Sequence, residues 1–175
     1  MANSDYTIKI VLLGSAGVGK TSLVYQFMEK KFRDNYKQTL GVNLLKKDMH
    51  VDGYGDVSAQ IWDLGGQEPF KALRKLYLEG ANGGLVIFDL TERKSFDELH
   101  EWIESFKNAR GEQPLLLIGN KSDLGNIIKI KEKEAGNFAK NNNMELISTS
   151  AKTGQNVEEV FIKLTKRILD NMSNR

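Results

Sequence analysis

The chain has no cysteine. That excludes a disulfide framework, a zinc–thiolate centre and thiol catalysis, and a reducing, cytoplasmic setting is expected. Histidine is scarce: His50 and His100 are the only two, neither has a partner at ligand spacing, and both read as surface residues. Proline occurs twice, at Pro69 and Pro114, and neither marks a domain boundary. No linker, internal repeat or low-complexity tract is present, so one domain over residues 1–175 is expected, large enough to bury a sizeable core. Charge of one sign is lacking too. Lysine and arginine total 25 against 23 aspartates and glutamates, a net charge of +2, which makes no case for nucleic acid as the main ligand. Met1-Ala2-Asn3-Ser4-Asp5 lacks the basic and apolar regions of a signal peptide, and no apolar run reaches the length that spans a bilayer.

What is present alternates between two periodicities. Thr7 to Leu13 reads as a strand that ends at a glycine-rich loop, with a helix from Lys20 to Lys30. Thr39 to His50 and Asp56 to Asp63 read as strands, and Asp52-Gly53 between them predicts an antiparallel hairpin. Pro69 opens a helical stretch to Leu78. The runs Leu85–Phe88 and Leu115–Ile118 are short and continuously apolar, as suits strands buried on both faces of a parallel sheet. Between them Phe96, Leu99, Ile103 and Phe106 give one helix, Ser95 to Asn108, a single inward stripe. Lys131 to Lys140 reads as helix, Met144 to Ser148 as a last strand, and Val157 to Leu169 as an amphipathic helix. The expected fold is α/β in three layers: a six-stranded, mostly parallel sheet with one antiparallel strand and about five helices. Ligands of such sheets bind beyond the carboxyl ends of the strands, so the loops after Leu13, Asp63, Asp89, Asn120 and Ser148 share one edge.

Those loops carry the chemistry. Gly14-Ser15-Ala16-Gly17-Val18-Gly19-Lys20-Thr21 has the form G-x-x-x-x-G-K-[ST]. Its glycines let the backbone wrap a polyphosphate, and the N–H groups of Ser15 through Ser22 and the helix N-terminus favour the anion. Lys20 adds a full charge toward the outer phosphates, and Thr21 offers a hydroxyl to Mg²⁺. Asp63-Leu64-Gly65-Gly66 places a carboxylate where it can hold Mg²⁺ through water, and a Gly66 N–H for the terminal phosphate. Asn120-Lys121-Ser122-Asp123 has the chemistry to read guanine. The Asp123 carboxylate can accept from N1–H and the exocyclic amine, whereas adenine would leave it unpaired. The Lys121 stem can lie along the base, Leu124 follows, and Asn120 can tie this loop to the phosphate loop. Ser150-Ala151-Lys152 would give an Ala151 N–H to guanine O6, with Lys152 beside the base.

In this order and spacing the four elements resemble a Ras-superfamily small GTPase over Thr7 to Asn171. Within it the chain is most similar to the Rab branch, on Gln38–Val42, Ile61–Glu68, Tyr77–Ala81 and Phe88–Thr91. The resemblance implies a guanine-nucleotide switch that binds GTP or GDP with Mg²⁺ and slowly hydrolyses GTP, in trafficking or membrane-linked signalling. It implies that Phe32 packs edge-on to guanine, that Tyr36 folds over the phosphates, and that Thr39 binds Mg²⁺ and the γ-phosphate in the GTP state. It makes Gln67 the residue that positions the attacking water, with Lys20 and Thr39 its catalytic companions. Loss of the γ-phosphate would release Thr39 and Gly66. Exchange factor, GTPase-activating protein and effectors are the implied partners, the last on a patch of Leu44, Trp62 and Tyr77, and a monomer is expected. From the residues alone, Phe32 in the core, Tyr36 on the surface and Trp62 covered by the neighbouring helix stay open.

The chain departs from the family pattern at Ala16, Gly65, Pro69 and Leu44, where relatives carry glycine, alanine, arginine and an aromatic residue. It ends at Asp170–Arg175 without a cysteine to prenylate or a polybasic tail, so no stable membrane anchor is expected in this stretch; a trimmed chain and a naturally unlipidated one stay open. Two other functions compete: a nucleotide-gated binding module without useful hydrolysis, and a nucleotide kinase, for which no lid arginines or acceptor site stand out.

Overall fold

The computed structural model describes residues 3–32, 41–65 and 72–175. Strand β1 (Tyr6–Leu13) lies at the centre, and its alternation sets the layers. Ile8, Ile10 and Leu12 point to one face, Val11 and Leu13 to the other, all essentially without solvent exposure. Helix α1 (Lys20–Glu29) follows the glycine-rich loop, and the hairpin of β2 (Val42–Val51) and β3 (Gly55–Leu64) turns at Asp52-Gly53, with the Tyr54 N–H donating to Val51 O at 2.9 Å. Then come α2 (Arg74–Leu78), β4 (Gly83–Asp89), α3 (Arg93–Asp97), α4 (Leu99–Arg110), β5 (Leu115–Asn120), a 3-10 turn over Ser122–Ile127, α5 (Glu132–Asn141), β6 (Glu145–Ser148) and α6 (Val157–Ser173).

The six strands form one sheet in the order β2-β3-β1-β4-β5-β6. Only β2 runs antiparallel to its neighbour; every other pairing is parallel. Helices α1 and α6 cover one face, and α2, α3, α4 and α5 cover the other. This is the expected three-layer α/β architecture. Parallel registers align the strand ends, with Leu13 opposite Val86, Asp89 opposite Asn120 and Gly119 opposite Ser148, so the motif loops leave one edge together. Among the described residues no helix is long and apolar enough to cross a membrane.

One expectation needs correction, and two element starts fall outside the described residues. The single helix over Ser95–Asn108 is two, divided at Glu98, and six α-helices are described. At Glu98 φ is −87° and ψ is −3°, at the margin of the right-handed helical region, and the apolar stripe continues across the break. The expected helix start at Pro69 and the first residues of the strand from Thr39 lie outside the described residues; the described helix begins at Arg74 and the strand at Val42.

The α1–α6 layer has a clear keystone. Phe161, fully buried, stacks on Phe27 with ring centroids 4.3 Å apart and planes within 3°. We predict that Phe161→Ala costs about 3–5 kcal/mol of stability, the usual loss for a buried aromatic. Chemical denaturation measures it, and a loss under about 1 kcal/mol would show that this layer does not depend on the stack.

Candidate functional site

The phosphate-loop geometry follows from what presses on it. Gly14 has φ 143°, and a Cβ there would lie 2.2 Å from the carbonyl oxygen of Ile87 on β4. Gly19 has φ 98°, and a Cβ would lie 2.4 Å from Nδ2 of Asn120. Gly19 also caps α1 with no side-chain bond, so no cap side chain serves the orphan N–H groups of the first turn. Lys20 is buried at 6% exposure and curls back over the loop, its Nζ donating to Gly14 O at 2.6 Å and Ser15 O at 3.2 Å. Burial lowers its pKa to about 8; Asp63 opposes that shift and Arg74 adds to it.

Thr21 and Asp63 are brought together: Thr21 Oγ1 donates to Asp63 Oδ2 at 2.5 Å, and Asp63 is fully buried at the end of β3. Hydroxyl and carboxylate oxygens are hard donors of the kind Mg²⁺ takes, one or two from protein and the rest from phosphate and water.

Asn120, 1% exposed, ties the loops together. Its Nδ2 donates to Val18 O at 2.9 Å, and its Oδ1 accepts from Thr149 Oγ1 at 3.0 Å and the Ala151 N–H at 3.3 Å. The Ala151 N–H, expected on guanine O6, is therefore directed at Asn120 in this structure. Asp123 is exposed, with Oδ1 accepting from Ser150 Oγ at 2.7 Å, so Ser150 orients the carboxylate expected to read the base. Lys121 adopts φ 71°, and its Nζ donates to Gly17 O at 3.0 Å. Leu124 is half-buried in the 3-10 turn, and Lys152 is exposed beside the buried Ala151. Ser22 and Val18 lie in the same loop-and-helix unit, Val18 buried and Ala16 exposed. Phe32 is half-buried and packs against the core beneath α1 and α6. Tyr36, Thr39, Gly66 and Gln67 lie outside the described residues.

The expected effector patch is brought together. The register sets Leu44 opposite Trp62, and the Trp62 and Tyr77 rings are 6.2 Å apart. Leu44 is 55% exposed. Of the pair Ile61 and Trp62, Ile61 is buried; Trp62 is half-covered, with the Lys9 ammonium 3.6 Å above its ring.

Several residues at the site went unrecognised in the sequence. Ser15 Oγ donates to Glu98 Oε2 at 2.5 Å, and no local pattern signals a partner so distant in the chain. Arg74 is buried, its guanidinium 3.5 Å over the Trp102 ring and bonded to Ser105 Oγ at 3.3 Å; Lys20 Nζ is 5.9 Å from the same ring. Asp89 and Thr91 form a D-x-T turn that pairs with Lys121, a pattern that short polar turns do announce.

With this geometry in hand, the comparisons are specific. The Ras family model matches residues 9–170. Ras-related protein Rab-4A of Bos taurus is 37% identical over 171 residues, which cover 97% of this chain and 78% of that protein. Rab-4A of Homo sapiens and of Mus musculus match with the same figures.

The lowered pKa of Lys20 has a measurable consequence. A polyphosphate on the loop favours the ammonium and raises the pKa, so binding takes up a proton in the window above about 8. The Lys20 contribution to affinity is complete below that value and falls up to about tenfold per pH unit above it. Calorimetric titration with GDP at about pH 8.5, in buffers of different ionisation heat, is expected to show fractional proton uptake. No uptake would mean that Lys20 is already charged before the nucleotide arrives.

Proposed function

The chain belongs to the Ras family, on its Rab-like side, and from that premise we propose how its own residues run a guanine-nucleotide switch. It binds guanine nucleotide and is a GTP hydrolase, as members of this family are. The observation that carries the proposal is the Asn120 amide, which joins the loop with guanine-reading chemistry to the phosphate loop through Val18 O at 2.9 Å. Two half-sites so joined recognise one ligand carrying both a base and a polyphosphate.

Residues 14–21 wrap the phosphates, with Lys20 as the counter-charge, and Asp123, held by Ser150, accepts from the guanine N1–H and amine. Thr21 and Asp63 would hold Mg²⁺, with Thr39 joining them in the GTP state, and the ion would supply charge neutralisation at the phosphates. Gln67 orients the attacking water, and Gly66 offers its N–H to the terminal phosphate. Phosphoryl transfer needs this positioning and charge stabilisation more than covalent help from the protein. A Lys20 that is already buried acts without large rearrangement.

Residues 1–175 act as one domain, and the chain works as a monomer. An exchange factor, an activating protein and effectors drive the cycle, and effectors read Leu44, Trp62 and Tyr77. Leu44 offers an aliphatic contact beside a Trp62 partly capped by Lys9, which favours partners with a smaller apolar anchor and an acidic neighbour. A role in vesicle trafficking or membrane-linked signalling follows from the Rab-like kinship.

Single-turnover hydrolysis of GTP with Mg²⁺, wild type beside Gln67→Leu, tests the catalytic part. The substitution is expected to slow a measurable wild-type rate roughly tenfold or more. Equal rates would leave a nucleotide-gated binding module without catalytic use of Gln67. Wild type is also expected to prefer GDP over ADP by a factor on the order of 10⁴, the scale for a site built to hydrogen-bond groups that the competing ligand lacks.

A further inference from the structure

We propose that Asp89 is a positioning residue of the nucleotide site, holding the Lys121 ammonium against the phosphate loop and so setting how long the nucleotide stays bound. The inference rests on the switch reading above and concerns a residue that contacts neither base nor phosphate in that reading.

Asp89 is the last residue of β4, 6% exposed, and in register with Asn120. Both its carboxylate oxygens are engaged. Oδ1 accepts from the Thr91 N–H at 2.8 Å and from Thr91 Oγ1 at 2.7 Å, and Oδ2 pairs with Lys121 Nζ at 2.7 Å. The backbone around it is also pinned: its N–H donates to Ser95 Oγ at 3.0 Å, and the Leu90 N–H to Asn120 O at 3.0 Å. The carboxylate therefore has a fixed direction, and that direction is toward Lys121.

Lys121 needs such a hold. Its left-handed backbone is an uncommon state for a side chain of this kind, sustained only where surrounding contacts over-determine it. Its ammonium bridges Asp89 and Gly17 O, linking the end of β4, the guanine loop and the phosphate loop in one chain of charge-assisted bonds. Asp89 also neutralises that ammonium locally. Counter-charge for the outer phosphates is thereby left to Lys20, and Lys121 serves as a strap and an aliphatic platform for the base.

An amide at position 89 cannot reproduce this. One of its two termini is an NH₂ donor, which must face either the Lys121 ammonium or the Thr91 N–H, both donors themselves. One contact is lost in either orientation, although shape is preserved.

The test is the release rate of fluorescent GDP from the full chain in Mg²⁺, with GDP and ADP retention by wild type measured first. A wild type that does not retain GDP in preference to ADP overturns the switch reading itself. Given a wild type that does, Asp89→Asn is expected to release GDP on the order of tenfold faster, the scale of one charged hydrogen bond. In a Lys121→Met background the same substitution is expected to add less than about twofold, because the strap is already gone. A general weakening of the fold would instead accelerate release equally in both backgrounds. Thr91→Val, which frees one bond to the carboxylate and leaves the charge in place, is expected to shift release in the same direction by a smaller factor, and it decides the matter if Asp89→Asn does not fold. Wild-type release from Asp89→Asn, or undiminished acceleration in the Lys121→Met background, overturns the proposal.

Discussion

A single buried amide makes two distant motifs into one site. Asn120 presents a donor and an acceptor from the same end of its side chain, and each meets a different loop: Val18 O on one side, Thr149 and Ala151 on the other. Neither a carboxylate nor an aliphatic side chain could replace it. A carboxylate would set an anionic oxygen against the Val18 carbonyl, and an aliphatic residue would strand polar groups in the interior at about 1–3 kcal/mol each. The same amide constrains the phosphate loop from outside, because Nδ2 occupies the space a Cβ at position 19 would need. The glycine of the first motif is thus required by the asparagine of the second. Their joint presence reflects packing as well as a shared ligand.

The parts of the fold that were legible are those in which burial leaves a local trace. Leu85–Phe88 and Leu115–Ile118 are apolar throughout because helices cover both sides of the sheet, and α6 shows the helical period because one face meets β-sheet. The break at Glu98 left no such trace. Phe96, Leu99, Ile103 and Phe106 keep one face buried across it, and periodicity reports which face is buried rather than whether backbone bonds continue. The motif loops were legible for a related reason: wrapping a phosphate or reading a base requires particular residues at adjacent positions. Their supports were not, since Glu98 reaches Ser15, Arg74 reaches Trp102 and Lys9 reaches Trp62 only through the tertiary fold. Strand alternation correctly leaves one of Ile61 and Trp62 outward, yet it cannot reveal that a lysine from β1 lies on the indole.

Cations around the phosphate loop divide their work by environment. Lys20 has lost its water to burial, and its ammonium is held on backbone carbonyls with Asp63 as its favourable charge. Lys121 is paired directly with a carboxylate. Arg74 is stacked on Trp102, a contact that tolerates dehydration of a guanidinium better than of an ammonium. The protonation state of Lys20 is sensitive to an arriving anion, because burial has already lowered its pKa to about 8. A loop already fixed by Asn120, Lys121 and Ser15 loses little freedom on binding, so more of the interaction with phosphate appears as affinity.

One backbone hydrogen bond also joins two parts of the chain distant in sequence. The Gly65 N–H donates to Gly41 O at 2.7 Å, joining the start of β2 to the residue after β3. Thr39 stands two residues before one end of that bond, and Gly66 one residue after the other. Seven residues beyond Gln67, Arg74 anchors α2 on Trp102, whose helix also carries the bonds to Glu101 and Ser105. The Gly41–Gly65 bond and the Arg74 contacts therefore tie together described residues that lie next to both switch motifs in the sequence. A change at either end of the Gly41–Gly65 bond is felt at the other through that one hydrogen bond, so the ends of β2 and β3 need no longer path between them.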